Sequence, residues 1–325
     1  MSLSLDKKRV VLAGGSGFIG QTLARELLQQ DWEVVVLTRN LRERDDDGIR
    51  EVEWDGEHVG EWIQCLEDAE AVINLSGRNI NCRHTPENLR EILESRVNPV
   101  RAIAGGIEHV KRPPRLWLQA GAVGFYGNRH DEWCNERTSC GPGRLAEVCR
   151  RWEETFFSAN TPKTRRILFR IGIVLGPDGG ALSVLANYTR WFLGGRAGNG
   201  RQYISWIHQA DLTRMFLRAL MFDNYLAGTY NAVAPQPETN AEFMRVLRHT
   251  LYRPWSPPVP AWLVKLSCKL TQSEASLALE GCRCAPKRFL ESGFEYKFPD
   301  LRAALKDIFP VLGVPAARQP MNRPE

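Results

Sequence analysis

At 325 residues the chain is longer than one hydrophobic core usually serves, so one large α/β unit or a nucleotide domain with an added lobe is expected. Hydrophobic residues make up 43% and charged residues 25%, which excludes a disordered or fibrous chain. The net charge of +5 comes from scattered arginines and no basic block, which leaves a mildly basic surface and excludes nucleic acid as an expected partner.

The opening MSLSLDKK has no apolar stretch of signal-peptide type, and no later run approaches membrane-spanning length. A soluble, cytoplasmic protein without a membrane partner is expected. Arg9 to Ala13 is a β-branched run read as a strand, GGSGFIG follows as a tight loop, and Ile19 to Gln30 sets Ile19, Leu23 and Leu27 on one helical face. Glu33 to Thr38, Ala71 to Leu75, Arg115 to Ala120 and Arg166 to Ile173 continue as buried-type strands with helical segments between them. Strands alternating with helices predict an α/β fold, a doubly wound parallel sheet of Rossmann type.

After Gly176 the pattern changes. A helical stretch runs to Trp191, a glycine-rich loop precedes WIHQADL, and a strand near Thr229 to Ala232 leads to helices at Asn240 to Leu251 and around Ala261 to Leu279. These segments predict a second, smaller substrate lobe of residues 175–205 and 236–310 beside a nucleotide domain of residues 1–174 and 206–235. Residues 311–325, rich in proline and polar residues, are expected to be a mobile tail. The eight cysteines form no CxxC pair and no zinc spacing, so free thiols and no metal are expected.

Gly14, Gly17 and Gly20 stand between a strand and a helix, where the missing Cβ atoms let backbone amides and a helix N-terminus approach a pyrophosphate. The flanking strand and helix make the triplet a dinucleotide site. The end of the second strand decides which dinucleotide. It reads Thr38-Arg39-Asn40, and an arginine there suits a 2′-phosphate where a carboxylate would suit a free ribose, so NADP(H) is expected.

With GGSGFIG, NLSG, SRV, RIGIVLGPDGGAL, WIHQADL and YNAVAP in one order, the chain resembles the extended short-chain dehydrogenase/reductases, and more narrowly the epimerase family proteins of the YfcH type. That resemblance implies that Gly14, Gly15, Ser16, Gly17, Phe18, Ile19 and Gly20 form the phosphate loop and that Arg39 meets the adenosine phosphate. It further implies that Asn74, Leu75 and Ser76 run beside the nicotinamide-side ribose and that His208 and Asp211 belong to a family block. A homodimer is compatible with it.

The catalytic set of that superfamily is missing. No tyrosine is followed four positions on by lysine, and the helix where the pair belongs supplies Leu145 and Cys149. The serine position reads Gln119-Ala120-Gly121-Ala122. Tyr126, Glu147, Cys149 and His208 are the remaining groups able to exchange a proton near the nicotinamide. Each also has a structural role open to it: a packed ring, a helix-surface charge, a small core residue, a packed histidine at a helix start. Two functions follow, an NADP(H)-dependent oxidoreductase or nucleotide-sugar-epimerase-like enzyme acting on a small carbonyl or sugar-like substrate, and a non-catalytic NADP(H)-binding sensor or regulator.

Overall fold

The computed structural model describes residues 7–41, 48–222, 227–253 and 255–310. Its elements in chain order are β1 (Arg9–Ala13), α1 (Phe18–Gln29), β2 (Glu33–Thr38), β3 (Ile49–Glu53), β4 (Ala71–Asn74), α2 (Pro86–His109), β5 (Leu116–Ala122), β6 (Trp133–Cys134), α3 (Arg144–Ser158), β7 (Arg165–Ile171) and β8 (Ile173–Leu175). Then come α4 (Gly180–Arg190), β9 (Tyr203–Ile204), β10 (Trp206–His208), α5 (Gln209–Met221), β11 (Gly228–Ala232), β12 (Glu238–Thr239), α6 (Asn240–Thr250), α7 (Ala261–Leu270), α8 (Ser276–Leu279), β13 (Arg283–Cys284), α9 (Lys287–Glu291) and α10 (Leu301–Ile308).

Seven parallel strands form the central sheet in the order β11-β7-β5-β4-β1-β2-β3. The chain moves outward from β1 through β2 and β3, then returns to the other side of β1 at β4. That reversal opens a crevice at the carboxyl ends of β1 and β4, the place where open α/β sheets bind ligands. Helices α1 and α5 pack together, as do α2 and α3. Because both faces are covered, Val10 to Ala13, Val34 to Leu37 and Ala71 to Ile73 are buried without alternation. The edge strand β3 escapes the pattern reading because its residues are only half-buried, IREVE with no apolar run.

The expected single strand over Arg166 to Ile173 is two. β7 stays in the central sheet, whereas β8 pairs with β10 in a separate two-stranded sheet. Gly172 is the point of departure: a Cβ there would stand 2.5 Å from the Ser205 carbonyl oxygen. Past it, Leu182, Trp206, Phe243, Leu247 and Leu305 build a second core.

That second core gives the lobe its own packing, but the expected boundary needs two corrections, the first being that Trp206 and Ala234, placed with the nucleotide domain, belong to this core. The second is that helix α9 and the turn after it, placed with the lobe, pack on β11. Phe289 and Phe294 lie in the central core, with Phe289 5.4 Å from the Phe169 ring and 5.2 Å from that of Tyr230. Residues 42–47, which include Arg42 and the acidic run Asp45 to Asp47, and the tail 311–325 lie outside the described residues. Among the described residues no helix is long and apolar enough to cross a membrane.

Candidate functional site

The three motif glycines do different work. A Cβ on Gly14, which has φ +74°, would stand 2.9 Å from the Leu75 carbonyl carbon and the Ser76 nitrogen, so its absence lets the loop close against the end of β4. A Cβ on Gly20 would stand 2.5 Å from the Gly15 Cα, so its absence seats α1 on the loop. Gly17 is exposed, and a Cβ there would meet nothing nearer than the Gly14 carbonyl oxygen at 3.4 Å. Packing explains Gly14 and Gly20 but not Gly17, and the space above Gly17 is open.

Gly17 is also the N-cap of α1, whose first turn has no side-chain cap among the described residues and no acidic residue. The first amides of that turn therefore have no side-chain acceptor among the described residues, and the positive end of the helix has no acidic partner, an arrangement chemically suited to cradle an anion. Ser16 is half-buried, and its carbonyl accepts from Gln21 Nε2 at 2.8 Å. Ile19 packs on the core. The Phe18 ring turns away from the cradle: positions 176, 179 and 180 are glycine where it sits, with added Cβ atoms 2.8, 3.0 and 3.3 Å from it. It is the wedge that seats the lobe's entry loop.

Arg39 is exposed at the end of β2 and makes no ion pair among the described residues. At the end of β4, Asn74 is buried, with Nδ2 donating to Gln119 Oε1 at 3.0 Å and Oδ1 accepting from the Ser76 amide at 3.0 Å. Asn74 thus braces the loop, while half-buried Leu75 and Ser76 form the rim of the crevice.

The proton-exchange candidates do not converge. Tyr126 is fully buried: its hydroxyl lies 2.7 Å from Asn231 Oδ1 and 2.9 Å from the Asn135 carbonyl, and accepts from Arg170 Nη1 at 2.8 Å. Burial pushes its pKa up. Arg170 is in turn held by Glu153 in a buried bidentate pair at 2.8 and 2.9 Å, so Tyr126 belongs to a closed structural network. Glu147 lies on the solvent side of α3, where hydrogen bonds from Arg150 and then Arg151 lower it to about 2, too acidic for a general base. Burial lifts the Cys149 thiol to about 12.

His208 is buried at the start of α5, where Nδ1 accepts from the Ala210 amide at 3.1 Å and Nε2 stands 3.4 Å from Asp307 Oδ2. Its ring lies 3.9 Å from that of Phe298. Asp211, fully buried, accepts from the amides of Lys297 and Phe298 at 2.8 Å each. These two residues fasten Lys297, Phe298 and Asp307 to the start of α5.

A sizeable cleft lies elsewhere. About 670 Å³ in volume, it is walled by Arg83 and Asn128 from the sheet side and by Gln202, Lys265, Lys269 and Glu274 from the lobe, and none of the four proton-exchange candidates lines it. Glu274 is half-exposed, and its Oε2 accepts from the buried His84 amide at 3.2 Å, which ties the lobe to the loop after β4. Sequence reasoning missed these residues because no fixed spacing joins position 83 to position 274. One signal was available: GRNINCRHT, residues 77–85, is a long irregular loop at the carboxyl end of a sheet strand, where ligands are met. All eight cysteines are free thiols, and Cys282 and Cys284 bring their sulfurs within 3.3 Å in the core beneath β5.

Comparison with known proteins places this geometry among relatives. Residues 10–232 match the NAD dependent epimerase/dehydratase family, and residues 259–308 match a domain of unknown function, DUF1731. The chain is 36% identical over 308 residues to the chloroplastic epimerase family protein SDR39U1 homolog of Arabidopsis thaliana, covering 92% of this chain and 86% of that protein. It is 31% identical over 300 residues to the epimerase family protein YfhF of Bacillus subtilis, covering 92% and 97%. A crystal structure of human epimerase family protein SDR39U1 (isoform2) with NADPH is similar with a TM-score of 0.82 and 31% identity, covering 94% of this chain and all of that one.

Proposed function

Because the chain belongs to the NAD dependent epimerase/dehydratase family, in its epimerase family protein branch, we propose that it binds NADP(H) on the Gly14–Gly20 loop and acts on a small carbonyl or sugar-like compound held in the cleft between sheet and lobe. The observation that carries the NADP(H) preference is Arg39, an exposed guanidinium with no ion pair among the described residues, at the end of β2 where a ribose-binding carboxylate would otherwise stand. The human relative crystallised with NADPH supports it.

When bound, the nucleotide supplies or accepts a hydride. The chain's own part is to hold the pyrophosphate on the open α1 amides, to pair Arg39 with the extra phosphate, and to orient substrate between Arg83, Asn128 and Gln202. Without a tyrosine–lysine pair, proton movement falls to the cleft wall, where Glu274 Oε2 is held by the His84 amide. A second reading, a nucleotide sensor without chemistry, rests on Leu145 and Cys149 standing where that pair belongs.

Fluorescence titration with NADPH and NADH tests the first part. Arg39→Ala is expected to weaken NADPH about 10- to 100-fold while leaving NADH within about twofold, the scale of one lost charge-assisted contact. Equal loss of both nucleotides would overturn the assignment of Arg39. A screen of carbonyl and sugar compounds for NADPH turnover tests the second part. Turnover that Glu274→Gln abolishes, with NADPH affinity unchanged, supports the enzyme, and no turnover at saturating NADPH supports the sensor.

A further inference from the structure

The lobe carries a surface that nucleotide binding does not use. Trp191, Trp255 and Trp262 are 80%, 67% and 66% exposed, and Leu270 is 75% exposed. A folded monomer seldom gathers such side chains in one place without a partner for them. Here they do share a face. The Val259 amide donates to the Arg196 carbonyl at 2.9 Å and the Gly198 amide to the Val259 carbonyl at 2.8 Å, while Arg253 Nε donates to the Arg190 carbonyl at 3.1 Å and its guanidinium lies 5.0 Å from the Phe192 ring. These bonds set residues 190–198 beside residues 253–259, and α7 begins two residues on.

Helix α7 buries only Val264. At about 100° per residue, Trp262, Leu263, Leu266 and Leu270 fall within an arc of about 100°, and Lys265 and Lys269 lie along one border of it, between this arc and the cleft they also wall. The surrounding charge has a single sign. Residues 180–201 and 246–273 contain seven lysines and arginines and no aspartate or glutamate. None of the seven makes an ion pair among the described residues, whereas Arg112, Arg150, Arg170 and Arg245 elsewhere all do.

We propose that this face of the lobe docks on an anionic lipid surface. The tryptophan rings sit at headgroup depth, Leu266 and Leu270 reach the acyl boundary, and Arg190, Arg253, Lys265 and Lys269 meet the headgroup phosphates. Aromatic rings flanked by cations that form no ion pair among the described residues match the chemistry of that interface, apolar below and negatively charged above. A second copy of the chain fits it poorly, because a two-fold contact through the same face would set like charges against each other. In-plane docking needs no spanning segment and revises the expectation that membranes play no part.

The test is co-sedimentation of the full-length protein with phosphatidylcholine vesicles, with and without about 30% phosphatidylglycerol, at low and high salt. Binding is expected only to the anionic vesicles, falling with salt and accompanied by a blue shift of tryptophan emission. Trp191→Glu/Trp262→Glu and Lys265→Glu/Lys269→Glu are each expected to cut vesicle partitioning about tenfold or more. Thermal melting checks that the variants fold, and Trp191→Ser/Trp262→Ser replaces the first pair if it does not. Absence of vesicle binding, or binding that survives the tryptophan substitutions, overturns the proposal. So does a concentration-dependent dimer that those substitutions dissolve, which would give the face to a second copy.

Discussion

Gly17 and Gly20 look interchangeable as letters, yet their surroundings predict opposite consequences for substitution. Gly17 has φ −80° and ψ 174°, open to any residue, and nothing occupies the place of its side chain. Gly17→Asp gives α1 an N-cap and sets a carboxylate in the phosphate cradle. It is expected to hold or raise the melting temperature while reducing NADPH binding at least tenfold. Gly20→Ala drives a methyl into the Gly15 backbone and is expected to lower stability by about 1–3 kcal/mol, checked by urea unfolding. A variant pair that loses stability and affinity together at both positions would remove the distinction. The glycine spacing was legible in the sequence, but which glycine serves packing and which serves a ligand was not, because that depends on what stands opposite each Cα. Tyr126 makes the same point. The sequence leaves it as a proton-exchange candidate near the nicotinamide, and only the structure encloses its hydroxyl between Arg170 and Asn231.

At the scale of elements, the β10–α5 junction carries a measurable pH dependence. Burial lowers the pKa of His208 below its ordinary 6.5, against the opposing pull of Asp307 and Asp211 and with the help of Lys297. The unfolded chain therefore binds a proton more readily than the folded one. The contribution is fully present above pH 6.5 and is lost as pH falls through the folded value, so stability drops on acidification. His208→Asn keeps a cap for the Ala210 amide but removes the titration. The difference in urea midpoint between wild type and variant is expected to narrow or reverse from pH 7.5 to 5.5, and a constant difference would rule His208 out as the source. Strand and helix identities were largely legible, since β1, β2, β4, β5 and β11 fall within two residues of their expected limits. The split between β7 and β8 was not, because RILFRIGI reads as one apolar run and only the Ser205 carbonyl beside Gly172 shows where the chain leaves the sheet.

For the molecule as a whole, α9 and the 294–298 segment after it, packed on the central core, fasten the lobe to the sheet. Phe289 is fully buried against Phe169, Tyr230 and Phe294, and Asp211 accepts two amides from Lys297 and Phe298. Phe289→Ala is expected to cost about 3–5 kcal/mol and to destabilise the sheet and the lobe together, seen as one shifted unfolding transition. Two separated transitions would mean that the lobe stands independently.

The sequence by itself determined the fold class, the position of the glycine loop between β1 and α1, the arginine at the end of β2 and the absence of any tyrosine followed four positions on by lysine. Each of these is written in neighbouring residues: hydrophobic period, glycine spacing and the identity of one side chain at a strand end. Only the tertiary structure decided that the candidate acids and bases point into the core or to solvent, that the cleft is walled by positions 83, 128, 202 and 265–274, and that the tryptophans of the lobe share one basic face. Those features join segments as far apart as positions 83 and 274, and no periodicity in the chain records which distant segments will meet.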